Sequence, residues 1–122
     1  TLGNLRGVLE EFFKRLFKTD IKVRFRPSYF PFVEPGLEVD MTCFKCEGSG
    51  CNICKKTGWI EIMGAGMVRP KVLSSCKINP RIYQGFAFGM GLERIAMLLY
   101  GVDDVRLFHA GDLRLTRQFK IE

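Results

Sequence analysis

Only one histidine, His109, stands in these 122 residues, and the chain offers no Ser-His-Asp set around it. With no nucleophile or metal partner in view, His109 reads as a surface or core residue. No apolar run approaches the length of a membrane span. No signal-peptide pattern opens the chain, so cytoplasmic residence is the default expectation. Repeats, low-complexity tracts and obvious linkers are also missing, and 122 residues allow one domain or part of one.

What is present is a chain able to build a core, since 47% of it is hydrophobic. The formal net charge of +6 fits work near nucleic acid or polyphosphate. It is equally ordinary for a soluble protein, so charge alone assigns no RNA contact.

Leu5, Val8, Leu9, Phe12, Phe13, Leu16 and Phe17 fall at helical spacing, with Glu10, Glu11, Lys14 and Arg15 opposite. This predicts an amphipathic helix over Leu2 to Phe17. Ile21, Val23 and Phe25 alternate with Lys22, Arg24 and Arg26, as in a half-buried strand. Its basic face is either solvated or turned toward RNA or further parts of a larger protein. Pro27, Pro31 and Pro35 predict an irregular stretch. Leu37, Val39 and Met41 alternate with Glu38 and Asp40 in a second strand. Trp59 to Val68 makes a third, more apolar and therefore central. Gly64 and Gly66 within it imply close approach by a ligand or neighbouring backbone. Pro70 opens a short helix through Ser74, and Ile82 to Met90 is expected as a strand. Leu92 to Tyr100 is a helix ended by Gly101. Asp103 is the expected cap of a final turn, and Leu113 to Phe119 a last short helix. Antiparallel strands with helices on one side make an α+β layer; a doubly wound parallel sheet would need regular strand–helix alternation.

Cys43, Cys46, Cys51 and Cys54 form two CxxC pairs between the second and third strands, among Gly48, Gly50 and Gly58. Four thiolates satisfy tetrahedral zinc and leave no open position, which favours a structural over a catalytic ion. Metal binding is preferred to disulfides or free thiols in a cytosolic chain. Residues 43–58 are therefore expected to form a zinc-clamped hairpin inserted in the domain. Their glycine and cysteine rhythm is similar to chaperone-type zinc modules. Cys76 is left over, as an expected buried thiol.

The most informative stretch is Gly85 to Arg94, GFAFGMGLER, followed by the helical run IAMLLYG. Gly89 and Gly91 remove side chains where a flat ligand could lie against backbone. Arg94 offers a planar charged fork suited to phosphate oxygens. Gly-x-Gly before a helix is common, however, and Arg94 stands where a dinucleotide fingerprint would need its third glycine.

The full string is more specific. It resembles the third signature motif of class II aminoacyl-tRNA synthetases, in the wording of the bacterial phenylalanine–tRNA ligase α-subunit family. RFRPSYFPFVEP (Arg24 to Pro35), WIEIMGAGMVRPKVL (Trp59 to Leu73) and the tail GVDDVRLFHAGDLRLTRQF resemble the same family in the same order. Arg69 departs from it, standing where many relatives carry histidine, and Cys43 to Lys56 lies outside the usual pattern.

The resemblance implies an antiparallel class II catalytic-domain sheet, with residues 1–122 forming part of that domain. The implied activity joins phenylalanine to ATP as phenylalanyl-adenylate, then transfers it to tRNA(Phe). The implied partner is a β subunit in an α2β2 assembly. Arg94 would contact the ATP γ-phosphate, and Gly89 and Gly91 would admit the adenosine. Phe30, Phe32, Val33 and Ala87 would line the phenylalanine pocket, and Glu34 would help hold magnesium together with the β subunit. Taken alone, Phe30 and Phe32 are ordinary core residues, Glu34 an exposed acid and Arg94 a salt-bridge partner on a helix surface. The first motif, most of the second and the tRNA-binding arm would lie upstream, so this fragment is expected to be inactive alone. Two rivals remain: a zinc-bearing nucleic-acid-binding module, and a synthetase-like scaffold without catalysis.

Overall fold

A computed structural model describes residues 1–17 and 21–119. The helix predicted from Leu2 to Phe17, α1, has those bounds. It is laced by the ion pairs Arg6–Glu10 at 2.8 Å and Glu11–Arg15 at 2.7 Å, each four residues apart. Four strands follow in an antiparallel sheet of order β1-β2-β3-β4: Val23–Phe30, Val33–Thr42, Trp59–Val68 and Phe86–Met90.

The apolar stripe of α1 buries Leu5, Leu9 and Phe13 against one sheet face, where Val39, Met41, Ile62, Met63 and Ala65 meet them. Ile95 and Leu98 of α3 (Leu92–Tyr100) close the same core. At about 1.5–3 kcal/mol for each large apolar side chain removed from water, this contact is the main stabilising term of the layer. Val8 and Phe12 stay exposed at the rim of the stripe. Helices on one face and an antiparallel sheet make the expected α+β layer, leaving the opposite face open for function.

Several boundaries differ from expectation. β1 continues through Pro27 to Phe30 instead of breaking into an irregular stretch. Among the described residues it pairs only with β2, so it is an edge where a proline need not donate a ladder bond. β2 starts at Val33, and Pro35 is absorbed where the register shifts between Val33 and Gly36. β4 begins at Phe86, not Ile82, because Asn79 nucleates a turn first. Its side-chain oxygen accepts from Arg81 N–H at 3.0 Å, and its carbonyl from Ile82 and Tyr83 N–H at 3.1 and 3.0 Å.

The short helix at Pro70, α2, runs to Ser75, and Cys76 caps it on the surface instead of lying buried. α2 is a single turn and a half with no buried residue, so nothing covers its end. Gly101 ends α3 in the left-handed conformation, at φ 65°. The next turn, a 3₁₀ segment Val105–His109, is capped by Asp104, which accepts from Arg106 N–H at 2.9 Å. Asp103, the expected cap, is engaged instead by Lys45 Nζ at 2.9 Å. The last helix, α4, covers Leu113–Thr116 under an Asp112 cap, shorter than expected. No helix among the described residues is long and apolar enough to cross a membrane.

Candidate functional site

The sheet face opposite α1 carries three cross-strand rows in register. Ser28, Gly36, Gly66 and Ala87 make one; Arg26, Glu38, Gly64 and Gly89 the next; Arg24, Asp40 and Glu61 the third. Phe30 and Val33 pair beyond the first row. The face is therefore apolar at one end, paved with glycine in the middle and charged at the other end.

At the apolar end the Phe30 and Phe32 rings lie 6.2 Å apart and tilted by 31°. Phe32 is exposed and Val33 buried. The Phe30 ring reaches over the sheet: a methyl added to Gly64 would meet its Cζ at 2.9 Å. A methyl on Gly66 would meet the Val33 side chain at 2.7 Å and the Pro35 carbonyl at 2.5 Å. The two β3 glycines thus make room for neighbouring side chains and backbone of this chain. Gly89 differs, since nothing lies within 4 Å of where its Cβ would stand. Gly91 is nearly as open and forms the N-cap of α3.

Arg94 lies in the first turn of α3. Because β4 ends at Met90, opposite Met63, the β3 carbonyl of Glu61 lacks a β4 partner. Arg94 Nη1 donates to that carbonyl at 2.7 Å and lies 3.7 Å from the Glu61 carboxylate. Half of its side chain remains exposed. The surface salt bridge considered from sequence is real, and it holds Arg94 beside the glycine floor. His109 is an exposed residue, 3.4 Å from Glu93.

The charged row holds residues that sequence reasoning misplaced. Asp40 was expected on a polar strand face, yet it is buried. Arg24 donates to its Oδ2 from Nε and Nη2 at 3.0 and 2.7 Å. Arg26 grips both carboxylate oxygens at 2.5 and 2.9 Å, and Glu38 lies 2.8 Å from its Nη2. Burial pushes the Asp40 carboxyl up, but the hydrogen bonds from Arg26 and Arg24 outweigh that and hold it below its usual range. The basic face of β1 is thus internally paired, and Arg24 also stacks 4.4 Å over Trp59. The available signal was the pairing of opposite charges across β1 and β2.

Glu34 stands at the rim, 73% exposed, with Arg69 Nε 3.4 Å from its carboxylate. That separation makes an ion pair without hydrogen-bond geometry, and Arg69 Nε is buried with no other partner. The guanidinium also faces Tyr29, 5.7 Å away.

The four cysteines of 43–58 do come together at the β2–β3 tip. All four sulfurs lie within 4.8 Å of one another. Cys43–Cys51 and Cys46–Cys54 are 3.7 Å apart and Cys51–Cys54 3.8 Å. A tetrahedral ion with sulfur at about 2.3 Å sets sulfur–sulfur edges of about 3.8 Å, so the arrangement fits zinc. These distances are far from a disulfide bond. Gly50 N–H points at Cys46 Sγ, and Cys51 and Gly58 N–H at Cys54 Sγ, at 3.1, 3.0 and 3.3 Å. Burial raises the Cys54 thiol, but those N–H groups prevail and bring it down to about 6. Burial carries Cys43 the other way, to about 11.

A family model described as the tRNA synthetases class II core domain (F) matches residues 1–119. The phenylalanine–tRNA ligase alpha subunits of Enterococcus faecalis and Bacillus subtilis are 59% and 58% identical to it, over 122 and 120 residues. That of Streptococcus mutans is 60% identical over 119 residues. These matches take in 98–100% of this chain but only 34–35% of each relative. The chain spans about a third of the length of the curated relatives it matches.

Proposed function

Because this chain belongs to the tRNA synthetase class II core-domain family, we propose that it is part of a phenylalanine–tRNA ligase α subunit. The observation that carries this reading is the graded sheet face, with aromatics at one end, an open glycine floor and a tethered arginine at the other. That order suits an amino acid, an adenosine and a phosphate chain lying in sequence along one surface.

Phe30 and Phe32 offer ring edges and faces to a phenylalanine ring, with Val33 behind them and Ala87 limiting depth. Gly89 and Gly91 admit the flat adenosine against backbone. Arg94, held by Glu61, presents its remaining donors to the γ-phosphate. In the first step the phenylalanine carboxylate attacks the α-phosphorus, the α–β P–O bond breaks, and pyrophosphate leaves with that electron pair. In the second a terminal ribose hydroxyl of tRNA(Phe) attacks the acyl carbon and AMP leaves. The carboxylate is already a nucleophile, so the protein supplies position and charge compensation. The second motif, which the resemblance implies supplies an arginine to the α-phosphate, lies in the part of the ligase outside this chain. So does the β subunit of the α2β2 assembly, and this fragment alone is inactive.

Glu34 supplies one hard oxygen ligand suited to magnesium. Arg69 competes for that carboxylate, so the ion needs further ligands from ATP and the β subunit. Structural zinc belongs to Cys43, Cys46, Cys51 and Cys54, where it would tie the long β2–β3 tip without a hydrophobic core of its own.

The test is phenylalanine-dependent ATP–pyrophosphate exchange by the full-length parent chain assembled with its β partner. Exchange that requires phenylalanine and is lost in Arg94→Ala supports the reading. A correctly assembled, zinc-loaded complex without exchange would move the scaffold and binding-module readings to the front.

A further inference from the structure

Arg69 stands at the end of the sheet where β1 turns into β2 and β3 runs out. Val33 pairs with Val68 across β2 and β3, which sets Arg69 beside Phe32 at the next position. Its N–H donates to the Phe32 carbonyl at 3.1 Å, and its carbonyl accepts from Val72 and Leu73 N–H at 2.9 and 3.3 Å. Pro70 follows and opens α2. The backbone from which this side chain starts is therefore fixed. Glu34 stands where the β2–β3 register shifts between Val33 and Gly36, an irregularity of the kind that re-aims a side chain. Its carboxylate lies 3.4 Å from Arg69 Nε, and among the described residues no other acid pairs with Arg69. The side chain is 32% exposed, yet Nε is covered and makes no hydrogen bond. An N–H withdrawn from water is costly to leave without a partner, so the covered nitrogen leans on the Glu34 charge.

We infer that Arg69 is a built-in counter-ion for Glu34, which a divalent cation has to displace, so that Arg69 sets the magnesium requirement of this site. The inference rests on reading Glu34 as a magnesium ligand. Two effects act in the same direction. A cation that takes Glu34 leaves the covered Nε–H facing no carboxylate, and the cost of that bare donor is charged against the ion. The guanidinium is permanently charged, so it also repels the ion directly. Retreat is limited, because the guanidinium lies over the exposed Tyr29 ring, whose face attracts it. Arg69 is a positioning residue here, since it acts on the ion through Glu34.

The experiment uses the parent α subunit assembled with its β partner and free of ATP. Manganese stands in for magnesium, since the same oxygen ligands suit both, and the free ion is counted by electron paramagnetic resonance. Glu34→Gln identifies the site by the manganese it loses. Arg69→Gln should tighten that site about tenfold, the scale of a unit charge acting on a divalent ion a few ångströms away through water. Arg69→Lys, which keeps the charge, should bind manganese as wild type does. The half-saturating free magnesium for pyrophosphate exchange, at fixed magnesium–ATP, should fall with the manganese value in Arg69→Gln. Arg69→Met keeps the stem beside Tyr29 and reads the same effect if the glutamine variant does not assemble. Unchanged or weaker manganese binding in the neutral variants would overturn the inference and make the arginine a prop for Glu34. Arg69→Lys binding as tightly as Arg69→Gln would overturn it too, because charge would then not be the cause. A Glu34→Gln complex that loses no manganese would instead refute the magnesium reading of Glu34, and the inference with it.

Discussion

Alanine at Gly64 and at Gly89 separates two uses of glycine on one surface. The two residues face each other across β3 and β4. A methyl on Gly64 would sit 2.9 Å from Phe30 Cζ and 3.3 Å from Cε2, so the ring must move. Overpacking of this kind costs about 1–3 kcal/mol. The strand backbone recovers about 0.5–1 kcal/mol on losing a glycine. Phe30 is only half-buried and can swing outward, so the net destabilisation should be near the low end, about 1 kcal/mol. A methyl on Gly89 meets nothing within 4 Å, and its backbone is not in the left-handed region. It should leave stability unchanged or raise it by about 0.5 kcal/mol. If adenosine lies on that backbone, the same methyl displaces it by about an ångström, enough to cost about a hundredfold in ATP kcat/KM. Urea unfolding and pyrophosphate exchange on the parent complex read the two effects separately. Gly89→Ala with wild-type kinetics for ATP would refute the floor assignment. Gly64→Ala with undiminished stability would show that Phe30 does not rest where the geometry puts it.

Three further outcomes are expected. Asp40→Asn should destabilise the protein by about 2 kcal/mol. That is less than the roughly 3–5 kcal/mol for breaking a fully buried pair, because the Arg24 and Arg26 side chains stay 42% and 41% exposed. The folded carboxyl titrates below its unfolded value, so this contribution is present above about pH 4 and is lost as pH falls through the folded pKa. Denaturation midpoints measured from pH 6 downward should therefore fall less steeply in Asp40→Asn than in wild type. Elemental analysis should find one zinc per chain, and Cys54→Ser should lose it and lower the melting temperature; a metal-replete protein without zinc sinks the metal assignment. Ala87→Gly in the parent enzyme should admit para-chlorophenylalanine in exchange, and unchanged discrimination would count against the pocket.

Much of the fold was legible because its elements obey simple periods. The α1 stripe and the Gly101 stop of α3 followed from apolar spacing and residue type alone. What escaped depended on partners distant in sequence. Pro27 reads as a breaker until β1 is known to be an edge, where its missing N–H costs no pair. Ile82 to Gln84 reads as strand until the Asn79 turn is seen to use that backbone first. Asp103 and Asp104 are neighbours of one type, and a lysine 58 residues away decides which of them caps. The cysteine cluster was legible because a ligand set at fixed spacing carries its own geometry. Asp40 was not, since alternation assigns it to a polar face and cannot say that two arginines will cover it.

Asp40 also shows why the apolar and cationic ends can share one sheet. Arg24 and Arg26 stand two residues apart on one face of β1 and would repel if left bare. Asp40, opposite Arg24 across the strands, lies within reach of both and is covered by them. One buried carboxylate thus neutralises part of the cluster and fixes the direction of both forks. Glu61 acts in the same way on Arg94, through the carbonyl that β4 leaves unpaired and the carboxylate beside it. Charge at this end of the face is therefore held by acids of β2 and β3, beside the β4 strand that carries Gly89. Removing either acid should disturb the direction of the arginines more than their number. A double-mutant cycle between Asp40→Asn and Arg24→Lys should accordingly be non-additive, because the two residues act as one unit.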